Sequence, residues 1–230
     1  VLEDPWIEPL EEVFSWTKSY QEAPDEAGYV EIDFEAGTPV AIDGQKLNGI
    51  SLITRLNKLA GNHGVGRIDH VENRLVGIKS REIYEAPAAV VLLEAHRALE
   101  AITLSKSQLH FKQRVAQEYA DLVYDGLWFS AQHQDLAAYI TSTQRFVTGT
   151  VRLKLFKGSL SVVGRKSPLS LYSYGLATYD KGDQFDQSAA SGFIHLWGLS
   201  VRTQAQIQPL GESGGPLNIM KPSKTVKESK

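Results

Sequence analysis

The sequence predicts an α+β fold, in which β-hairpins or a mixed sheet pack with several long α-helices, followed by a C-terminal helix and a flexible tail. Three observations predict it. Apolar and polar residues alternate with period two over 29–42 and again over 150–163. Between and after these stretches, apolar residues recur at steps of three and four, the spacing of a helix with one buried face. Beyond residue 208 neither period survives, and Pro, Gly and Lys take over. With 230 residues, 42% hydrophobic and 22% charged, the chain has globular composition and enough length for a sizeable core.

Residues 1–28 are polar and broken by Pro5, Pro9 and Pro24, so they read as an extended lead-in with at most a turn of helix at 8–14. Val30, Ile32 and Phe34 then face one way and Glu31 and Asp33 the other, which predicts a half-buried strand. Val40 and Ile42 continue the alternation after a turn around 35–38, making a hairpin. Leu52, Ile53, Leu56, Leu59 and Ala60 predict a helix that Gly61 ends as a C-terminal cap. A glycine-rich loop, Gly61-Asn62-His63-Gly64-Val65-Gly66-Arg67, leads into one or two short strands over 68–79. Pro87 opens the clearest helix, with Ala88, Leu92, Ala95, Leu99 and Ile102 as its core seam and Glu94, Arg97 and Glu100 off it. A second helix places Phe111, Val115, Tyr119 and Leu122 on one face and stops at Gly126; a third covers 134–146. Val151, Leu153 and Leu155 alternate up to a Lys157-Gly158 turn, and Leu160 and Val162 alternate after it, a second hairpin. A last helix is expected over 191–206 with Phe193, Leu196, Trp197 and Leu199, and a weakly basic, disordered tail after Pro209.

Composition excludes several function classes. Lys and Arg number 24 against 27 Asp and Glu, a net charge of −3, so no overall basic surface drives the chain onto nucleic acid or anionic lipid. With no cysteine, disulfides, thiolate metal sites, Fe–S clusters and a Cys nucleophile are ruled out, and a reducing cytoplasm fits. No apolar run reaches the ~18–20 residues of a membrane helix. The opening Val1-Leu2-Glu3-Asp4-Pro5-Trp6 is no signal peptide, and the absent initiator Met reads as the loss of something upstream.

Three features bear on chemistry. The glycine-rich loop would let backbone N–H groups approach a phosphate, with Arg67 adding charge. It follows a helix rather than a strand and lacks G-x-x-x-x-G-K-[ST], so a tight connector is the favoured reading. None of His63, His70, His96, His110, His133 and His195 forms a close ligand pair, and no metal site is expected. The densest polar cluster is Arg67-Ile68-Asp69-His70-Val71-Glu72-Asn73-Arg74 with Lys79-Ser80-Arg81-Glu82-Ile83-Tyr84-Glu85. Residue type alone favours a surface ion-pair network, worth ~0–1 kcal/mol per pair. The functional alternative is a pocket rim, where a carboxylate holds an amino acid's ammonium and a tyrosine hydroxyl orients it.

These same residues carry a resemblance. Asn62-His63-Gly64-Val65-Gly66-Arg67-Ile68-Asp69, Val71-Glu72-Asn73-Arg74, Gly77-Ile78-Lys79-Ser80-Arg81 and Ile83-Tyr84-Glu85-Ala86-Pro87-Ala88 resemble the signature of argininosuccinate synthases. Leu2-Glu3-Asp4-Pro5-Trp6 is similar to the junction that leaves that family's nucleotide-binding domain. Leu122-Val123-Tyr124-Asp125-Gly126-Leu127-Trp128-Phe129-Ser130, Gly164-Arg165-Lys166-Ser167-Pro168-Leu169-Ser170-Leu171-Tyr172 and Gly192-Phe193-Ile194 extend the resemblance over roughly residues 2–205.

The resemblance implies the C-terminal part of a carbon–nitrogen ligase. The family joins citrulline to aspartate with ATP, through citrullyl-AMP, in arginine biosynthesis and the urea cycle. Glu72 and Tyr84 occupy its citrulline-contacting glutamate and tyrosine positions, with roles in binding and orientation. The family's Ser-Gly-Gly-Leu-Asp-Thr-Ser pyrophosphate loop, its aspartate-binding residues and its two citrulline-contacting serines do not occur in this chain, whose catalytic residues stay unassigned. The implied division is 1–28 as the lead-in from a nucleotide-binding domain that is missing here, 29–190 as the α+β synthetase domain, 191–208 as a helical oligomerisation element and 209–230 as the tail. ATP, with Mg, belongs to the full enzyme, and this chain alone is expected to bind no cofactor and to be inactive. The implied partners are citrulline, aspartate and further copies in a cytoplasmic homotetramer, with no nucleic acid and no membrane. The alternative is a non-catalytic oligomerisation or interaction module derived from that domain.

Overall fold

The computed structural model describes residues 2–177 and 186–208. The chain divides into two compact units, Val1–Ser173 and Tyr174–Lys230. In the first, the predicted alternation becomes strands β1 (Gly28–Glu35), β2 (Thr38–Ile42) and β3 (Gln45–Lys46), and later β6 (Gly149–Phe156) and β7 (Ser159–Lys166). They form one antiparallel sheet in the order β3-β2-β1-β6-β7. Both residues of each two-residue loop, Ala36-Gly37, Asp43-Gly44 and Lys157-Gly158, have positive φ, the geometry that matches the twist of a tight hairpin.

Period two puts Val30, Ile32, Val151, Leu153 and Leu155 on one face of the sheet, all buried. Against that face lie α1 (Gly49–Asn62) and α2 (Pro87–Thr103), through Leu52, Leu56 and Ala60 of the first and Ala88, Val91, Ala95 and Leu99 of the second. Each fully buried Leu, Ile or Val contributes about 1.5–3 kcal/mol by leaving water. Two further helices, α3 (Lys106–Tyr124) and α4 (Ala131–Gln144), are each opened by a serine cap: Ser105 accepts from the Gln108 N–H and Ser130 from the His133 N–H. Strands β4 (Arg67–Asn73) and β5 (Lys79–Glu85) form a separate two-stranded sheet between α1 and α2 in the chain. The second unit holds α5 (Tyr174–Ala177), α6 (Ser188–Trp197) and α7 (Leu199–Ile207).

The α+β class, both predicted hairpins and the Gly126 stop are present, while several details differ from expectation. Gly61 is not the cap of α1. The helix runs on to Asn62, and the left-handed residue is Gly64, at φ +73°. The Val65 N–H reaches the Ala60 carbonyl and the Gly64 N–H the Gly61 carbonyl, both at 3.0 Å, the paired bonds of a Schellman end. Ile53 leaves the expected seam and is exposed, because the buried stripe steps by four through Leu52, Leu56 and Ala60. Glu100, expected off the seam, is 4% exposed; it is tolerated there because Lys112 Nζ (3.0 Å) and Gln144 Nε2 (2.7 Å) satisfy its carboxylate. Phe111 is half exposed, so Val115 and Leu122 carry the burial of α3. The strands of the polar cluster reach Glu85 rather than ending near 79, and the expected helix over 191–206 begins at Ser188 and is split at Gly198. The expected tail after Pro209 lies outside the described residues.

Gly61 has a different use. A Cβ there would stand 2.2 Å from the Trp16 carbonyl oxygen, and the Lys18 N–H donates to the Gly61 carbonyl at 2.9 Å, so the lead-in lies directly on the helix backbone. Gly→Ala inside a helix ordinarily stabilises by ~1 kcal/mol. Here Gly61→Ala is expected to destabilise the chain by about 1–3 kcal/mol through overpacking, read as a lower denaturant midpoint at unchanged slope. A stabilised variant would show that the lead-in does not pack on α1.

Candidate functional site

The polar cluster of the sequence is the β4–β5 hairpin, and period two sorts its side chains onto two faces. Glu72 pairs with Ser80, His70 with Glu82 and Ile68 with Tyr84 on one face. Arg67 pairs with Glu85, Asp69 with Ile83 and Val71 with Arg81 on the other. What reads in one dimension as alternating charge is thus two separate sets of groups.

Glu72 is the centre of the first face. Its side chain is 14% exposed. Tyr84 Oη donates to Glu72 Oε2 at 3.3 Å, where His70 Nε2 also stands at 3.3 Å. Tyr124, the last residue of α3, donates to Oε1 at 3.1 Å, with Arg74 Nη1 3.5 Å from the same oxygen. The Arg74 guanidinium is shared with Glu82 Oε1 at 2.5 Å and anchored on Ser80 Oγ at 2.9 Å. Burial pushes the Glu72 carboxyl up, but the hydrogen bonds from His70 and Tyr124, the Arg74 charge and the Tyr84 hydroxyl outweigh it, and the group is held below its ordinary range. Desolvation, together with the adjacent Glu72, raises both phenols, so Tyr84 and Tyr124 stay protonated donors. Two carboxylates face one guanidinium here, so anionic charge is in surplus. The arrangement suits the capture of an ammonium group.

The second face holds the lead-in. The Glu85 carboxylate accepts from the backbone N–H groups of Ser15 (2.7 Å), Trp16 (3.0 Å) and Thr17 (2.7 Å), and from Thr17 Oγ1 at 2.6 Å. Arg67 donates to Thr17 Oγ1 at 2.8 Å and the Thr17 carbonyl at 3.0 Å, binds Glu11 through both terminal nitrogens, and lies 3.8 Å over the Phe14 ring. Arg81 pairs with Asp69 and reaches the carbonyls of Leu2, Asp4 and Ile7.

The glycine-rich loop is a connector. His63 caps α1, Val65 is buried in the core, and a Cβ on Gly66 would meet the Pro87 Cα at 2.4 Å. The model of the arginosuccinate synthase C-terminal domain matches residues 1–204. The chain belongs to the argininosuccinate synthase family. Argininosuccinate synthase of Dehalococcoides mccartyi is 67% identical over 212 residues, covering 92% of this chain and 52% of the relative. Those of Symbiobacterium thermophilum and Rubrobacter xylanophilus are 59% and 58% identical, each over 90% of this chain. The chain spans about half the length of the curated relatives it matches.

Both residues that the argininosuccinate synthase resemblance singled out, Glu72 and Tyr84, are brought together. Tyr124 was missed as a member of the cluster, though it lies in the quoted Leu122-Val123-Tyr124-Asp125-Gly126 run. Its signal was the glycine two residues on. The Leu127 N–H to Leu122 carbonyl bond (2.8 Å) and the Gly126 N–H to Val123 carbonyl bond (3.2 Å) end α3 at Tyr124. Nothing in the local sequence says which hairpin that helix end meets. A cavity of about 370 Å³ between α2 and α3 is lined by His96, Glu100 and Lys112 among others and includes neither Glu72 nor Tyr84.

The Glu85 cradle predicts a pH dependence. Burial raises this carboxyl, but the Thr17 hydroxyl and the N–H groups of residues 15–17 outweigh it and hold it below its ordinary 4.5. A lowered folded-state pKa contributes stability that is complete above the unfolded value and lost as pH falls through the folded one. The chain is therefore expected to be more stable than Glu85→Gln at neutral pH, with the gap closing below about pH 4.5 in denaturant titrations at several pH values. A gap independent of pH would mean that the carboxylate charge does not hold the lead-in.

Proposed function

We propose that the chain supplies the amino-acid-binding and oligomerisation part of an argininosuccinate synthase, with Glu72 and Tyr84 as contacts to citrulline. The observation that carries this is the convergence of Tyr84, Tyr124, His70 and Arg74 on a Glu72 carboxylate kept anionic. Glu72 takes the α-ammonium, and Tyr84 orients it. In the full enzyme the citrulline ureido oxygen attacks the α-phosphate of ATP, forming citrullyl-AMP and releasing pyrophosphate. The aspartate amine then displaces AMP to give argininosuccinate. Glu72 and Tyr84 act by alignment; neither is a proton carrier in this scheme.

ATP and aspartate are assigned to the preceding half of such an enzyme. Among the described residues no group of three or more His, Asp or Glu side chains is arranged to hold a metal ion. No helix among those residues is long and apolar enough to cross a membrane. A homotetramer working in cytoplasmic arginine biosynthesis is part of the proposal. Its support is the second unit, where Phe193, Ile194, Leu196, Trp197, Val201 and Ile207 are all more than 60% exposed on α6 and α7. That same surface is what favours the second reading, an interaction module without catalysis of its own.

In the full-length protein, Glu72→Ala is expected to raise the citrulline KM about tenfold or more, as loss of a charged hydrogen-bond partner does, with kcat within about threefold. An unchanged KM in a folded variant removes Glu72 from the site. The 230 residues alone are expected to give no citrulline-dependent ATP–pyrophosphate exchange. Exchange by the purified chain would show that it grips ATP by itself.

A further inference from the structure

Arg81 carries more than an ion pair. Its side chain is 4% exposed, although its partner Asp69 is 48% exposed and the hairpin lies apart from the main sheet. A guanidinium has five N–H donors in a fixed fork, and all three of its nitrogens are engaged. Nε and Nη2 take Asp69 Oδ1 and Oδ2 at 3.0 and 2.6 Å, a bidentate pair that fixes the plane of the guanidinium. Nη1 then points at the lead-in, where the carbonyls of Leu2, Asp4 and Ile7 converge on it at 3.3, 2.6 and 2.8 Å. Three carbonyls spread over six residues turn toward one nitrogen only if the backbone curls around it. Residues 2–7 include Pro5 and no regular element, so the guanidinium supplies the hydrogen bonds that regular structure would otherwise give.

The position of this clamp matters. Val71 is the cross-strand neighbour of Arg81, and Glu72 follows Val71 on the opposite face. Asp69 lies diagonally from Arg81 on β4, so the clamp ties β4, β5 and the lead-in into one body directly behind Glu72 and Tyr84. A two-stranded ribbon has marginal stability alone, and this one carries the proposed site on one face.

We propose that Arg81, oriented by Asp69, is a positioning residue for the Glu72–Tyr84 site, locking residues 2–7 to the back of the hairpin and setting where that site stands relative to what precedes Leu2 in the full-length protein. The proposal rests on the reading of Glu72 and Tyr84 as amino-acid contacts. Lysine cannot substitute, because its ammonium cannot both grip a carboxylate bidentately and serve three carbonyls.

The test uses the full-length protein and two measurements: amide hydrogen exchange resolved by peptide, and the citrulline KM and kcat. In Arg81→Met, exchange over 2–7 and 67–85 is expected to rise about tenfold or more while α2 and β1 stay protected. The citrulline KM is expected to rise about tenfold with kcat within about threefold. Arg81→Lys should rescue neither, and Asp69→Asn should reproduce both changes in weaker form. Faster exchange with an unchanged KM would overturn the positioning role, and unchanged exchange would overturn the clamp itself. If Arg81→Met does not fold, Asp69→Asn decides by the same two outcomes. Glu72→Gln separates the two claims. An unchanged KM in that variant sinks the citrulline reading, whereas a raised KM there beside an unchanged KM in Asp69→Asn and Arg81→Lys sinks the positioning residue alone.

Discussion

A two-stranded ribbon has two faces, no core, and too few hydrogen bonds to hold its shape in water. The β4–β5 hairpin carries the candidate site under that constraint, and the rest of the chain is arranged around it. One face is free to present Glu72, His70, Glu82 and Tyr84 because the other is committed to binding the lead-in, whose only regular element among the described residues is a 3-10 turn at Glu11–Val13. Arg67, Arg81 and Glu85 grip residues 2–17 at successive points. The polar groups of the lead-in, which would otherwise need water or regular structure, are satisfied by the hairpin, and the hairpin gains the third layer it lacks.

The base of the ribbon is fixed by the core. Val65, the last residue of the Schellman end, is 1% exposed and belongs to the same cluster as Ala60 and Leu155. Gly66 lies against Pro87, and the Ala86 N–H donates to the Gly66 carbonyl at 2.8 Å. So both strands leave the packed region at one place, between the end of α1 and the start of α2. Farther along, the tip exposes Leu75, Val76 and Ile78. The ribbon is therefore anchored at its base, backed along its length by the lead-in, and met near Glu72 by the end of α3.

Much of this is legible from the residues, and what is not has physical causes. Val30, Ile32 and Phe34 show their face because period two is a local property of a strand. The pairing of β1 with β6 joins segments more than a hundred residues apart, and no local pattern encodes it. Gly61 was misread because a glycine at the end of an apolar stripe fits either a cap or a close backbone contact, and only the position of Trp16 decides. Glu100 was misread because a carboxylate spaced off the apolar seam is buried only if Lys112 and Gln144 arrive from other helices. Glu72 and Tyr84 were legible through the motif they sit in. Tyr124 was not, since its role depends on α3 ending beside a hairpin from another part of the chain. The polar cluster itself held a readable clue: even-numbered residues of β4 face one way and odd-numbered the other, which separates site from clamp once the segment is taken as a single hairpin.

The division of charge also supports the proposed preference for an amino acid over a phosphate in a chain of net charge −3. The arginines of the signature segment are already engaged. Arg67 and Arg81 are turned to the lead-in, and Arg74 is shared between Glu72 and Glu82. None is left at the Glu72 face as a free guanidinium to meet an anion. What that face presents is a carboxylate held below its ordinary range, against the pull of burial, by His70, Tyr124, Arg74 and Tyr84, beside two phenols that desolvation and the neighbouring charge keep protonated. Such a site can bind an ammonium and orient it, because its donors and acceptors are already in place before the ligand arrives. It cannot neutralise a developing phosphoryl charge. Under the proposed function the cationic groups for adenylyl transfer come from residues outside the hairpin, and the hairpin places the citrulline.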